Sequence, residues 1–153
     1  MGKTAVIETT CDEVFNNPGL PALMEEYRSV WCKNQDLVGP DPDFDGYIRL
    51  EDAGVLKILG AFRDGVFIGG AFLLLSKVLH FHGKIICTVE SLFVLEKHRV
   101  PVGGRVLRAV FDTAKKYGAV GVYISAPMGG RLINDLPNMG FKETNRLFYR
   151  SIL

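Results

Sequence analysis

The sequence is poor in the residues that mark several classes of protein. It has three cysteines, three histidines and one tryptophan among 153 residues. An odd number of cysteines without metal-type spacing, and histidines without a partnering cysteine pair, predict no metal site and favour a reducing cytosol. The net charge is also small, because 18 Lys and Arg face 17 Asp and Glu for a balance of +1. That balance disfavours bulk electrostatic capture of nucleic acid or of a membrane surface.

Long hydrophobic runs are missing as well. The two longest apolar stretches, residues 66–75 and 85–95, have about half of the ~20 residues that a membrane-spanning helix needs. The first ten residues have neither the apolar segment nor the cleavage site of a signal peptide. No repeat or low-complexity tract interrupts the chain. We therefore expect a cytoplasmic protein folded as one domain over residues 1–153.

What the sequence does have is enough apolar material for a core, with 48% hydrophobic and 10% aromatic residues. The apolar pattern predicts strands at residues 5–8, 55–62, 66–75, 85–94 and 120–125, helices over 20–31, 106–117 and 131–136, and one or two terminal strands within 141–152. Asp64-Gly65 predicts a hairpin turn, Thr10 an N-cap, and residues 38–46 a loop. We expect an α/β fold whose mixed sheet has helices on both faces.

The most informative segment is residues 90–107, in which an apolar strand leads through a glycine-containing turn directly into a helix. Main-chain amides at the start of a helix lack partners and lie at the positive end of the helix dipole, so such a turn can bind an anion. Gly103 and Gly104 would let a phosphate approach the backbone, and Arg99 and Arg105 would add positive charge. The alternative is a loop that uses glycine only to begin a helix.

This segment resembles the GNAT superfamily of N-acetyltransferases, in which a strand, a Q/R-x-x-G-x-G/A turn and a helix hold the pyrophosphate of acetyl-CoA. Phe93 and Val94 match the end of the strand, Arg99 the first motif position, Gly104 the last, and Arg105 the basic residue that often follows. The order of elements is similar over nearly the whole chain, and residues 125–150 look like a branch often found in phages and prophages. The resemblance implies a GNAT-like acyl-CoA N-acyltransferase fold and acetyl-CoA as cosubstrate.

The resemblance also implies which residues hold the coenzyme. The main-chain amide of Val94 is the expected contact for the pantetheine arm and for the developing oxyanion. Asn134, on the short helix expected beside the coenzyme, is as readily explained as a solvated helix residue. The full set of implied coenzyme-binding residues is Phe93, Val94, Arg99, Val102, Gly103, Gly104, Arg105 and Asn134.

Two positions depart from the family pattern. Val102 replaces the middle glycine and follows Pro101, which has no amide hydrogen, so the cradle would depend on amides nearer residues 103–105 or on a turn shifted by one residue. Leu136 stands where many members have a tyrosine that protonates the departing thiolate. Another group or water would then supply the proton, or the thiolate leaves without an acid.

Glu90 is the expected catalytic base, because related enzymes often place a carboxylate on the central strand upstream of the cradle. Regular alternation would place its side chain on the same face as Thr88, Leu92 and Val94. Burial in so apolar a strand would raise the pKa of the carboxyl towards neutrality. The alternative is that Glu90 lies at the solvent boundary or pairs with a basic side chain.

Several other residues have a structural explanation beside a functional one. His80 and His82 fit an exposed loop and His98 fits packing, while Ser125 fits a turn better than a substrate contact. Tyr149 is an alternative acid but fits a strand packed on the core. Tyr27 and Trp31 could line the acceptor pocket, although their helical spacing favours the core.

The expected function is acetyl transfer from acetyl-CoA to a primary amine, without a covalent enzyme intermediate. The acceptor is a small molecule or a protein lysine, its pocket is expected from the first helices and the loops at 38–46 and 77–84, and nothing in the sequence ranks the acceptors. The competing interpretation is an inactive module of this fold that binds a coenzyme or a protein. The oligomeric state is open, and homodimers are frequent in the superfamily.

Overall fold

The computed structural model describes residues 2–31 and 41–152, in which five strands form one mixed sheet. The strands are β1 (Thr4–Thr9), β2 (Leu56–Arg63), β3 (Val66–Val78), β4 (Lys84–Val94) and β5 (Ala119–Ile124). Their order in the sheet is their order in the chain. Neighbours from β1 to β4 are antiparallel, and β5 is parallel to β4. The predicted α/β class with a mixed sheet is confirmed.

Helices cover both faces of this sheet. They are α1 (Cys11–Phe15), α2 (Leu20–Glu26), α3 (Phe44–Asp52), α4 (Arg99–Lys116) and α5 (Arg131–Asn138). The first three lie over the face that carries Phe72. Helix α4 lies over the opposite face and reaches Glu8 of β1 through Lys116. Its buried residues recur at helical spacing and include Val106 and Val110, which are both 0% exposed.

Local signals in the sequence correctly predicted one hairpin turn and the start of one helix. Asp64 and Gly65 between β2 and β3 have φ angles of 51° and 81°, the left-handed values that a two-residue hairpin turn requires. The Thr10 side chain accepts a hydrogen bond from the Glu13 amide at 3.2 Å and caps α1. The turn fixes where β3 begins after β2, and the cap fixes where α1 begins after β1.

The region between α2 and β2 differs from the prediction. Helix α2 continues as a π-helical turn over Tyr27–Trp31, and α3 begins at Phe44, inside the segment predicted as a loop over residues 38–46. That loop prediction is wrong at its end because Asp43 accepts the Gly46 amide at 2.8 Å and starts a helix there. Cys32 and residues 38–40 lie outside the described residues.

The terminal strands predicted within residues 141–152 are wrong, because no strand occurs there. Phe141 packs against Phe111 with ring centroids 5.3 Å apart. Beyond it, Leu147 and Phe148 are 92% and 87% exposed, and Tyr149 does not pack on the core as expected. The sheet ends at β1 and β5, and no part of residues 141–152 pairs with either edge strand.

Two thiols are buried in this fold. Cys11 and Cys87 are free cysteines with 1% and 0% of their surface exposed. Burial raises the pKa of Cys11 to about 12, with a further contribution from Glu51, and it raises the pKa of Cys87 to about 11. Within residues 2–31 and 41–152, no helix is both long and apolar enough to cross a membrane.

Candidate functional site

A β-bulge in β4 determines the direction of Glu90. On β3, Phe72 pairs with Ser91 and the next residue, Leu73, pairs with Val89, so Glu90 is an extra residue in β4. Glu90 and Ser91 therefore both border the same pocket, opposite Phe72. The expectation that Glu90 shares a face with Leu92 and Val94 is wrong, because the extra residue breaks the alternation on which it was based.

The pocket beside Glu90 lies between the sheet and helices α1 to α3. It encloses about 100 Å³, and its walls are aromatic and aliphatic. Its lining consists of Val14, Phe15, Leu20, Leu23, Met24, Tyr27, Pro42, Phe44, Tyr47, Phe67, Gly70, Phe72, Glu90, Ser91 and Phe93. The expected contribution of the first helices is therefore present, while the loop at 77–84 is not part of this lining. The side chain of Trp31 lies outside what the structure describes.

Tyr47 from α3 holds the Glu90 carboxylate. Its hydroxyl donates a hydrogen bond to Glu90 Oε1 at 2.9 Å. Burial, and then the neighbouring Glu90 carboxylate, raise the pKa of the Tyr47 phenol, so this group stays protonated and remains a donor. Glu90 itself is exposed rather than enclosed by its strand, and no Lys or Arg among the described residues forms an ion pair with it. One carboxylate oxygen is thus anchored, and Oε2 is available to a proton donor.

Beyond Glu90, one edge of β4 is open. The pairing of β4 with β5 ends at Val89 and Ile124, so residues 90–94 have no β5 partner in the described sheet. The Leu95 amide donates to the Ile68 carbonyl at 3.0 Å. Because successive amides of an extended chain point to opposite edges, the Val94 amide points towards the open edge. This direction agrees with the contact expected of the Val94 main chain.

The turn between β4 and α4 presents bare backbone. Val100 has non-helical angles (φ −108°, ψ 120°), so the regular part of α4 begins at Pro101. A proline at the first helical position costs no hydrogen bond, because the first amides of a helix have no acceptor within it. The amides of Val102 and Gly103 remain as donors. A Cβ added at Gly104 would meet nothing within 4 Å. No packing contact therefore requires a glycine at 104, and its open side has room for a group bound against the main chain, which fits a phosphate-bearing coenzyme.

The two arginines expected at this turn have partners elsewhere. Arg99 Nη2 lies 3.9 Å from Glu26 Oε1, and the same oxygen accepts the Glu96 amide at 2.8 Å. Arg105 Nη2 donates to the Thr4 carbonyl at 3.1 Å, on the strand at the opposite edge of the sheet from β5. The turn therefore offers main-chain amides, whereas the side chains of Arg99 and Arg105 contact Glu26 and Thr4.

The remaining residues predicted on β4, after β5 and on α5 differ in burial. The Phe93 ring is buried and packs against Tyr27 with centroids 5.6 Å apart, so it borders the pocket while its main chain lies at the open edge. Asn134 is exposed on α5, and Leu136 is buried on the same helix. Ser125 is exposed just after β5.

The histidines lie apart from the pocket. His80 and His82 are exposed in the loop between β3 and β4. Burial and the nearby Arg63 and Lys97 lower the pKa of His98, whose Nδ1 lies 3.5 Å from Arg63 Nη1. Among the described residues no group of three or more His, Cys, Asp or Glu side chains could hold a metal ion.

Sequence reasoning missed Tyr47, because α3 was not predicted. The signal that could have found it is the D-x-x-G pattern of Asp43 and Gly46, which begins a helix whose fourth residue is this tyrosine. The partner on β4 was predicted, but the hydrogen bond joins residues 43 positions apart and has no signature in the chain.

Solved acetyltransferase structures share this fold, although no protein-family model and no curated protein matches the chain. An aminoglycoside acetyltransferase from an uncultured soil metagenomic sample superposes with a TM-score of 0.76 at 16% identity, over 99% of each chain. A glucosamine-6-phosphate N-acetyltransferase from Arabidopsis thaliana gives 0.73 at 12% identity, over 98% of this chain and 99% of that one. An aminoglycoside N-acetyltransferase in complex with CoA gives 0.62 at 19% identity, over 100% and 97%. This chain has the GNAT-type acetyltransferase fold.

Proposed function

We propose that the chain is an acetyl-CoA-dependent N-acetyltransferase that transfers an acetyl group to a primary amine, with one domain over residues 1–153. The observation that supports it most is a single arrangement on β4. Glu90 borders a pocket on one side of the sheet, and a few residues later the same strand has an open edge that leads to the bare turn at Gly104. An amine and a thioester could meet between these two features.

In the proposed reaction the amine nitrogen attacks the thioester carbonyl carbon directly. Glu90 Oε2 first takes a proton from the bound ammonium group, which gives the nitrogen a lone pair, and releases this proton to solvent. The nitrogen–carbon bond then forms, the carbon–sulfur bond breaks, and the second nitrogen proton leaves through the same carboxylate to solvent. The Val94 amide would donate to the carbonyl oxygen as negative charge develops on it. The departing CoA thiolate takes a proton from solvent, since buried Leu136 stands where a tyrosine acid would be expected. Tyr47 positions Glu90 and does not itself exchange a proton.

The proposed coenzyme site uses the residues predicted from the sequence. The amides of Val102 and Gly103 and the open side of Gly104 would receive the pyrophosphate, with the main chain of Phe93 and Val94 along the pantetheine arm. Arg99 and Arg105 contribute charge at its margin, and Asn134 on α5 completes the proposed set.

Calorimetric titration with acetyl-CoA tests the coenzyme half of the proposal, and release of free CoA thiol in the presence of amines tests the transfer half. We expect saturable binding and amine-dependent thiol release. No heat of binding at high micromolar acetyl-CoA would contradict the enzyme function. Binding without transfer to any amine would favour the alternative, an inactive module that binds a coenzyme or a protein.

We also propose a cellular location and an oligomeric state for this activity. Buried, reduced Cys11 and Cys87 fit a reducing compartment, so we place the activity in the cytoplasm, or in the host cytoplasm for a phage-encoded chain. The phage or prophage branch stays a prediction from the tail sequence. A homodimer is the oligomeric state that we would test first, by sedimentation.

A further inference from the structure

The pocket beside Glu90 restricts the kind of amine that can reach the carboxylate. Among its described lining residues, Glu90 is the one charged side chain. Phe15, Tyr47 and Phe72 form an aromatic cluster, with ring centroids 5.3 Å, 6.1 Å and 6.5 Å apart. An approaching ammonium group would find one carboxylate, and the carbon body behind it would find rings.

We propose that the acceptor is a small primary monoamine whose body is a single apolar ring or a short alkyl chain. This inference rests on the proposed acetyltransferase function and specifies its substrate class. The amine nitrogen would lie at Glu90 Oε2, because Tyr47 already occupies Oε1. The apolar body would lie against Phe72 and the rings around it.

The size of the pocket supports this class. It encloses about 100 Å³, whereas a dry cavity of about 150 Å³ lined by apolar side chains binds benzene. The pocket holds most of one ring or a short chain, so linked sugar rings would lie largely outside it. Sugar hydroxyls or a second ammonium group would also lose water against Phe72 and Phe93, which offer them no hydrogen-bond partner.

Two acidic residues that neighbour lining residues in the chain favour a cation, and neither of them lines the pocket. Pro42 and Phe44 line the pocket, and the exposed Asp41 and Asp45 flank them in the chain. Their negative charge would raise the local concentration of ammonium ions. Asp43, which lies between them, already accepts the Gly46 amide and pairs with Arg49, so it belongs to its own helix.

Phenethylamine is the probe, with spermidine and sisomicin as polycationic comparisons. Binding of each amine to the full chain is measured by NMR titration without coenzyme, and transfer is measured by thiol release with acetyl-CoA. We expect phenethylamine to bind at the pocket and to have a kcat/KM about tenfold or more above those of the two polycations. Higher kcat/KM for spermidine or sisomicin would overturn the proposal.

A pair of variants locates the binding. Phe72→Leu keeps an apolar side chain but removes the ring, and we expect phenethylamine to bind roughly fivefold more weakly. Phe81→Leu removes an exposed ring in the loop after β3, is the matched control, and should leave binding unchanged. Retained acetyl-CoA affinity shows that both variants are folded.

The remaining outcomes separate the two proposals. No binding of phenethylamine, or equal binding by Phe72→Leu and the wild type, overturns the acceptor class while coenzyme binding and transfer to other amines can persist. Phenethylamine that binds but is not acetylated at saturating acetyl-CoA also overturns it. Failure of the acetyltransferase function is recognised separately, by the absence of acetyl-CoA binding.

Discussion

The Tyr47 hydroxyl and the Glu90 carboxylate meet at 2.9 Å, across 43 residues of sequence. One partner lies on a helix above the sheet and the other on a bulged strand within it. The hydrogen bond fixes one oxygen of a carboxylate that is otherwise exposed to solvent. It therefore gives a flexible side chain a defined orientation at the pocket, which is what a base must have to receive a proton from a bound amine.

Glu90→Gln removes the proposed base and keeps the shape of the side chain. We expect kcat to fall by roughly 100-fold at pH 7. The loss should be largest below pH 8 and smaller above it, because a growing fraction of the amine then loses its proton to water. Acetyl-CoA affinity, measured by calorimetry, should be nearly unchanged.

The matched control for this variant is Glu25→Gln, which changes a carboxylate on α2 that is 77% exposed. Its kcat should equal that of the wild type. If Glu90→Gln instead weakens coenzyme binding as much as it lowers kcat, Glu90 is a structural residue.

Tyr47→Phe removes the hydroxyl that anchors Glu90 and keeps the ring that packs 5.3 Å from Phe72. We expect kcat to fall by several-fold, with a change of less than about 1.5 kcal/mol in the free energy of unfolding. The measurement is kcat over a range of pH, compared with the profile of the wild type.

Tyr149→Phe, in the exposed tail, is the control for the loss of a phenol and also tests the alternative acid suggested by the sequence. We expect no change in kcat. An unaltered profile in Tyr47→Phe would restrict Tyr47 to packing.

Gly104→Leu should move stability and coenzyme binding in opposite directions. Its Cβ meets nothing within 4 Å and leucine replaces glycine in a helix, so the protein should become more stable by about 0.5–1 kcal/mol. The side chain beyond Cβ, larger than the Gly or Ala of the family pattern, would occupy the proposed phosphate site, and the Kd for acetyl-CoA should rise by roughly tenfold. Thermal unfolding and calorimetry measure the two effects.

Arg108→Ala changes an exposed residue one turn further along α4 and provides the comparison. Neither quantity should change much in this variant. An unchanged Kd in Gly104→Leu would remove the turn from the coenzyme site.

Alkaline pH should destabilise the fold through its buried thiols. The pKa of Cys87 is raised to about 11 in the folded state from an ordinary value of 9.0. Between these values the unfolded chain releases a proton that the folded chain keeps, so the free energy of unfolding decreases as pH rises. The slope for one thiol approaches about 1.4 kcal/mol per pH unit.

Cys87→Ala removes one of these thiols and should flatten the decrease between pH 9 and pH 11. Urea unfolding of the wild type and the variant under reducing conditions at several pH values measures the difference. Parallel pH profiles for the two proteins would contradict the prediction. Other groups that titrate in this range are common to both proteins and cancel in the comparison.

The sequence predicted the elements whose signals are local and periodic. Asp64 and Gly65 needed only their own backbone preference, and the stripe of α4 needed only helical spacing. Thr10 was found in the same way, since its capping partner is three residues away. From these elements the mixed sheet and the strand-turn-helix segment followed.

What the sequence could not predict depends on contacts between distant segments. The bulge at Glu90 arises from the pairing of β3 with β4, and no pattern within β4 predicts it. The partners of Arg99 and Arg105 lie on α2 and β1, so the spacing within the motif gave no sign that these side chains are engaged. The tail prediction failed because strand-like residues form a strand only when they pair with a sheet, and residues 141–152 pair with neither edge strand, β1 or β5.

Because of the bulge, the number of residues in β4 before Ser91 determines which face of the sheet Glu90 reaches. In a regular strand with the same pairing at Ser91, Glu90 would point to the face covered by Val106 and Val110, both 0% exposed. A carboxylate there would cost several kcal/mol and would be absent from the pocket opposite Phe72. Deletion of a residue of β4 just before Glu90 would therefore damage folding and the proposed catalysis together, whereas deletion of Glu90 itself would remove the carboxylate and leave a regular strand.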